Sequence, residues 1–146
     1  MGRTRLLHDD VFRRLCRARA LIQEQPGEPL TVAQLAAAAG LSPFHFLRTF
    51  REAFQRTPHQ YLQRVRIERA KELLQRGDLS VTDVCFEVGF SSLGSFGALF
   101  AREVGTAPGR WRRDMHRLVQ VPGWVQRVVV PHCFFAQLGP APLLAA

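Results

Sequence analysis

Two stretches decide how this chain folds: residues 42–61, SPFHFLRTFREAFQRTPHQY, and residues 91–111, SSLGSFGALFAREVGTAPGRW. In the first, Ser42 reads as a helix N-cap and Pro43 as the first helical residue. A serine oxygen satisfies an orphan helix N–H, and proline has no N–H to leave unpaired there. Phe46, Phe50 and Phe54 follow at four-residue spacing, which lays three rings on one face of a helix and predicts that this face is core. The same geometry turns Phe44, Leu47, Arg48 and Arg51 toward solvent. In the second stretch the plan returns: at an offset of 50 residues, Phe46, Phe50 and Pro58 fall on Phe96, Phe100 and Pro108, and Tyr61 falls on Trp111.

Upstream of both stretches the repeat continues at an offset of 49, where Leu30, Val32, Gly40 and Ser42 fall on Leu79, Val81, Gly89 and Ser91. One residue is therefore inserted just after the turn. Thr31 with Gln34 has the spacing of a capping box, and the short helix that follows stops at Gly40. Duplicated self-similarity of this kind marks a repeated supersecondary unit. A short helix, a glycine turn and a serine-capped second helix make a helix-turn-helix, whose second helix enters the DNA major groove. The first unit spans about 31–56 and the second about 80–105.

Between them Thr57-Pro58 opens, and Gly77-Asp78 closes, a connector helix over about 58–76. From Pro58 to Gln75 it runs roughly 27 Å at ~1.5 Å per residue, against about 34 Å between successive major-groove faces. One rod is thus the right length to present two reading heads to one side of a duplex. Ahead of the first unit, Val11, Leu15, Ala18 and Ile22 keep helical spacing until Gln25-Pro26-Gly27-Glu28-Pro29 ends the helix. The expected architecture is all-α over residues 8–115.

With 47% apolar residues, the chain has enough to build a core. Its 20 basic residues against 12 acidic give a net charge of +8, which favours a polyanionic partner. Arg48, Arg51, Arg56, Arg64, Arg66, Arg69, Lys71 and Arg76 crowd the first reading helix and the connector, and Arg102, Arg110, Arg112 and Arg113 flank the second unit. On the connector, pairs such as Glu68–Arg64 and Glu68–Lys71 offer the plainer alternative of a solvated helix face.

Cys16, Cys85 and Cys133 include no C-x-x-C pair, so neither a zinc cage nor a disulfide framework is indicated, and Cys16 and Cys85 read as buried thiols. No cofactor is implied. An enzyme is not expected either, since no carboxylate pair or nucleophile–base arrangement stands out and the histidines are scattered. There is no secretory h-region and no apolar run of ~20 residues, so a soluble cytoplasmic protein is expected, with no membrane partner.

Leu35-Ala36, Gly40-Leu41-Ser42, Phe46-Leu47-Arg48-Thr49-Phe50, Thr57-Pro58-His59-Gln60-Tyr61, Arg66 and Ala70 with Leu73-Leu74 resemble the first half of the AraC/XylS-type regulators. Val88-Gly89-Phe90-Ser91-Ser92, Ser95-Phe96, Phe100 and Pro108-Gly109-Arg110-Trp111-Arg112 resemble that family's signature segment. The likeness covers roughly 12–115. It implies about seven helices in two helix-turn-helix subdomains, reading helices in adjacent major grooves, and transcriptional regulation, often by activation through RNA polymerase. Carried over by position, it offers Phe44, Leu47 and Arg48 to base edges, Arg48 to guanine and the two apolar side chains to thymine methyls. Ser42, His45, Arg51 and Arg66 are expected on phosphates.

The second reading helix departs from the family pattern. Its outward positions are Leu93, Gly94, Gly97 and Ala98, where the family commonly has long polar or basic side chains. Ser91, Ser92, Ser95 and Arg102 remain as phosphate contacts, so specificity is expected mainly in the first unit, with the second clamping the backbone and sensing groove shape. The residues before Val11 are too few for the sensor domain most relatives carry. A stand-alone DNA-binding form without a small-molecule effector site is therefore expected, acting as a monomer.

After Met115 the chain turns β-prone through Val119, Val121, Trp124, Val125 and Val128–Val130, which predicts a short extended or hairpin tail over 116–146. Such an apolar tail is also a candidate docking surface for a partner or a second copy. The alternative function is accordingly a helix-turn-helix interaction module or co-regulator with weak DNA binding.

Overall fold

A computed structural model describes residues 9–119. These form seven helices: α1 (Asp9–Glu24), α2 (Val32–Ala39), α3 (Pro43–Phe54), α4 (Pro58–Arg76), α5 (Val81–Glu87), α6 (Leu93–Val104) and α7 (Pro108–Val119). No strand occurs among the described residues, and no helix of theirs is long and apolar enough to cross a membrane. Of the extended or hairpin tail expected over 116–146, residues 120–146 lie outside the described residues. His116–Val119, read from sequence as the start of that tail, instead continue α7. The β-branched Val119 is outweighed there by a run of helix-compatible residues from Arg110 onward.

The helices are bounded by local chemistry. Thr31 accepts from Gln34 N while the Gln34 side chain returns to Thr31 N at 2.8 Å, closing the expected capping box on α2. Thr57 and Gln60 do the same for α4, and Ser80 and Asp83 for α5. Gly40, at φ +62°, caps α2 in the left-handed region that a Cβ disfavours.

Two separate cores result. Phe46 and Phe50 of α3 are fully buried against Leu15, Ala18 and Ile22 of α1 and Leu35 and Ala36 of α2. Phe96 and Phe100 of α6 are fully buried against Val84, Cys85 and Val88. Each such ring stabilises the fold by about 1.5–3 kcal/mol through its removal from water. The connector α4 serves both: Leu62 joins the first core, while Ile67, Ala70, Leu73 and Leu74 join the second. Tyr61 meets Phe50 edge-on at 5.8 Å, and Trp111 meets Phe100 likewise at 6.1 Å. The 50-residue offset therefore holds down to ring geometry.

Two details differ from the sequence reading. The N-cap of α6 is Ser92, whose side chain accepts from Ser95 N at 3.2 Å, so Ser92 rather than Ser91 is the counterpart of Ser42. The extra residue sits inside the turn, where Phe90-Ser91 stands in place of Leu41. Cys85 is buried, as expected, and burial raises its thiol pKa; Cys16 is only half-buried.

Candidate nucleic-acid interface

The outward face of α3 follows from its inward one. With Phe46, Thr49 and Phe50 buried, Phe44 is left 78% exposed and Leu47 39% exposed, beside exposed Arg48 and Arg51. The Thr49 hydroxyl donates to His45 O at 2.7 Å and is spent inside the helix. A phenylalanine that exposed has a cost in water unless something covers it, and it stands one turn from Arg48. Ser42 and half-buried His45 flank the helix N-terminus, where free N–H groups and the helix dipole favour an anion.

On α6 the matching positions are nearly bare. Counting both ways from the aligned Phe46 and Phe96, Gly94 stands opposite Phe44, Gly97 opposite Leu47 and Ala98 opposite Arg48. A Cβ built on Gly94 or Gly97 meets nothing within 4 Å, so neither glycine is demanded by packing. Each weakens the helix by about 1 kcal/mol relative to alanine. Leu93 is 45% exposed, and Ser91, Ser92, Ser95 and Ala98 are exposed as well. The Ser92 hydroxyl donates to Ser95 Oγ at 2.8 Å, so this pair presents one linked polar edge.

Between the two units runs a groove of about 440 Å³ lined by Gln55, Arg56, Gln60, Gln63 and Arg64 on one side and Leu99, Arg102 and the acidic Glu103 on the other. Sequence reading counted Arg56 and Arg64 as general positive charge and left Gln60 and Gln63 out. Their spacing at i, i+3 and i+4 on α4 was the available signal. Among the described residues Arg48, Arg51, Arg56 and Arg64 have no ion-pair partner, whereas Arg69 pairs with Glu72 at 2.8 Å and Lys71 with Glu68 at 2.7 Å. On the connector itself Arg64 faces the groove without an ion-pair partner, while the charges at 68, 69, 71 and 72 pair with one another. Arg102 lies on the groove and reaches Glu103 at 3.4 Å, with a highly exposed side chain.

Arg66, expected on a phosphate, is engaged by the protein's own backbone. Its guanidinium is half-buried and donates to three carbonyls: Pro26 O at 2.7 Å through Nε, Gly89 O at 2.8 Å through Nη1 and Glu28 O at 3.1 Å through Nη2. Cζ lies 5.8 Å from the centre of the Phe90 ring. Partial burial draws its pKa below the ordinary guanidinium value. Three of its five N–H donors are thus engaged by backbone, a structural role that the sequence reading did not foresee.

Comparison with known proteins follows the same lines. The family described as "Helix-turn-helix domain" matches residues 35–114. The chain is 35% identical over 95 residues to the RCS-specific HTH-type transcriptional activator RclR of Escherichia coli K12, covering 65% of this chain and 34% of that protein. It is 32% identical over 107 residues to the HTH-type transcriptional activator RhaS of Klebsiella pneumoniae, covering 73% and 38%. The chain spans about a third of the length of the curated relatives it matches. Among solved structures, the DNA-binding domain of AdpA in complex with a target DNA superposes with TM-score 0.68 at 32% identity, over 75% of this chain and 98% of that one. An AraC-type DNA-binding-domain regulator from Chromobacterium violaceum gives TM-score 0.68 at 25% identity, over 80% and 100%.

Proposed function

This chain belongs to the AraC-type helix-turn-helix regulators, and from that membership we propose that it is a sequence-specific transcriptional regulator whose α3 and α6 enter adjacent major grooves on one side of duplex DNA. The observation that carries the reading is the pair of like-built units, each with a serine-capped helix standing on its own buried phenylalanine pair, served by one 19-residue connector. That helix is about 28 Å long at ~1.5 Å per residue, close to the groove repeat of about 34 Å. Likeness to a domain solved on its target DNA supports the same docking.

In this reading Arg48 forks to guanine O6 and N7, while Phe44 and Leu47 cover thymine methyls. Ser42, His45 and Arg51 hold phosphates at the first head; Ser91, Ser92, Ser95 and Arg102 hold them at the second. Leu93, Gly94, Gly97 and Ala98 face the base edges of the second groove with almost no side chain, so α6 reads shape more than sequence. Arg56 and Arg64 neutralise the backbone that passes between the grooves. The protein acts in the cytoplasm as a monomer, and RNA polymerase is the partner through which the bound form regulates.

Selection on random duplex DNA tests the proposal. The expected motif is bipartite, strongly specified in one half and weakly in the other, with log affinity falling steeply against log salt. A palindrome points instead to a dimer. Retention that ignores salt overturns the proposal in favour of the protein-docking alternative, which draws on the bare face of α6.

A further inference from the structure

Two cores joined by one helix can swivel unless something fixes them, and the structure contains such a device. Along α4 the allegiance of the apolar residues changes between Val65, packed on the first core, and Ile67, buried in the second. Arg66 sits at that crossing. Two of its three carbonyl partners, Pro26 O and Glu28 O, belong to the α1–α2 loop of the first unit, and the third, Gly89 O, belongs to the turn of the second. The same two loops touch backbone to backbone beside it. A Cβ on Gly27 falls 2.8 Å from Glu87 O, and one on Gly89 falls 2.7 Å from Gly27 O and 2.8 Å from Arg66 Nη2. Gly89 also has φ +89°, which side chains rarely adopt. The seam therefore closes only with glycine on both sides and a planar, five-donor cation bridging it. Lysine has the charge but not the fork.

We propose that Arg66 is a positioning residue that locks the two reading heads at one relative orientation, and so sets the spacing between half-sites that the protein accepts. This rests on the two-headed reading above. Arg66 touches no DNA in this role. It acts by denying the second head the freedom to follow half-sites placed nearer or farther along the duplex, so its loss relaxes spacing rather than base preference.

The experiment compares the full chain with Arg66→Lys, Arg66→Ala and Gly27→Ala. Gly27→Ala wedges the same seam without altering the arginine, and circular dichroism melts verify that each variant is folded. Each protein is assayed on duplexes carrying the two selected half-motifs at separations varied by single base pairs. Wild type is expected to accept one separation. The variants are expected to bind that site about tenfold more weakly, the scale of one lost charge-assisted hydrogen bond, to accept neighbouring separations, and to keep an unchanged salt slope. An unchanged spacing profile overturns the proposal. So does a uniform loss at all separations with the slope reduced by about 0.9, which is the signature of a lost phosphate contact.

A DNA-free arm separates this proposal from the reading beneath it. Residual dipolar couplings from the two units should fit one alignment tensor in wild type and two in Arg66→Lys. If wild type shows no bipartite site, two-headed docking fails while the tensors still judge the lock. A single tensor in every variant overturns the lock itself.

Discussion

In the first unit Phe46 and Phe50 are fully buried and Tyr61 closes on Phe50 from the next helix; in the second, Phe96 and Phe100 are fully buried and Trp111 closes on Phe100. Outside, the same two helices share almost nothing: Phe44, Leu47 and Arg48 project from one, and Gly94, Gly97 and Ala98 flatten the other. Interior positions are held by close packing, in which a lost methylene is felt. Exterior positions answer only to what they touch. The contrast says that what the two units share is the scaffold, while their outward faces differ residue by residue.

The most forceful way to test the comparison is to break each interior. Phe50→Ala and Phe100→Ala should each cost about 3–5 kcal/mol by chemical denaturation, as truncations of fully buried rings. Amide exchange should accelerate first around residues 11–62 for Phe50→Ala and around 67–111 for Phe100→Ala. Equal acceleration everywhere in both variants would mean the cores are energetically one.

Next in size is the exterior of the first head. Arg48→Ala should remove about 1–3 kcal/mol of discrimination at one base pair, read by binding to a panel of single-base operator variants, with stability unchanged. Uniform weakening on every sequence would assign Arg48 to a phosphate. At the second head the signs reverse. Gly94→Ala and Gly97→Ala should each stabilise the fold by about 0.5–1 kcal/mol, because the added methyl meets nothing. Their effect on DNA affinity, by fluorescence anisotropy, should be a loss if the backbone of α6 lies close in its groove; a gain in both quantities would remove the close-approach reading.

The smallest expected difference is in acid. The first unit's capping box uses neutral Gln34, whereas the second uses Asp83, whose carboxylate is held below its ordinary pKa chiefly by hydrogen bonds from the Ser80 hydroxyl and then its backbone N–H. A depressed folded-state pKa contributes stability that is complete above the unfolded carboxylate value and fades as pH falls through the folded one. The start of α5 should therefore fray below about pH 4 while that of α2 does not, as followed by amide shifts of Asp83 and Gln34. Asp83→Asn should abolish the difference.

What could be read from sequence was whatever is local or periodic. Capping pairs three residues apart, rings four apart and a glycine in the turn all leave marks in the order of residues, and the 50-residue offset made each mark count twice. The insertion was harder to place, because two adjacent serines compete for one N-cap and only the hydrogen bond from Ser95 N chooses Ser92. The end of α7 was missed because valine propensity is overridden by the helix it terminates. Arg66 was beyond reach for a different reason: its partners are carbonyls 23, 38 and 40 residues away, and every residue carries a carbonyl. An interaction with backbone writes nothing into the partner's side-chain identity. Of that seam, only the glycines left a trace.

The empty space around Gly94 and Gly97 has a consequence for how such a molecule can change. Because a methyl at 94 or 97 meets no other part of the fold, small side chains there change helix propensity alone and call for no compensating repairs in the core. On the docking proposed above, 94 and 97 are therefore the positions at which added side chains would meet DNA before they met the rest of the protein.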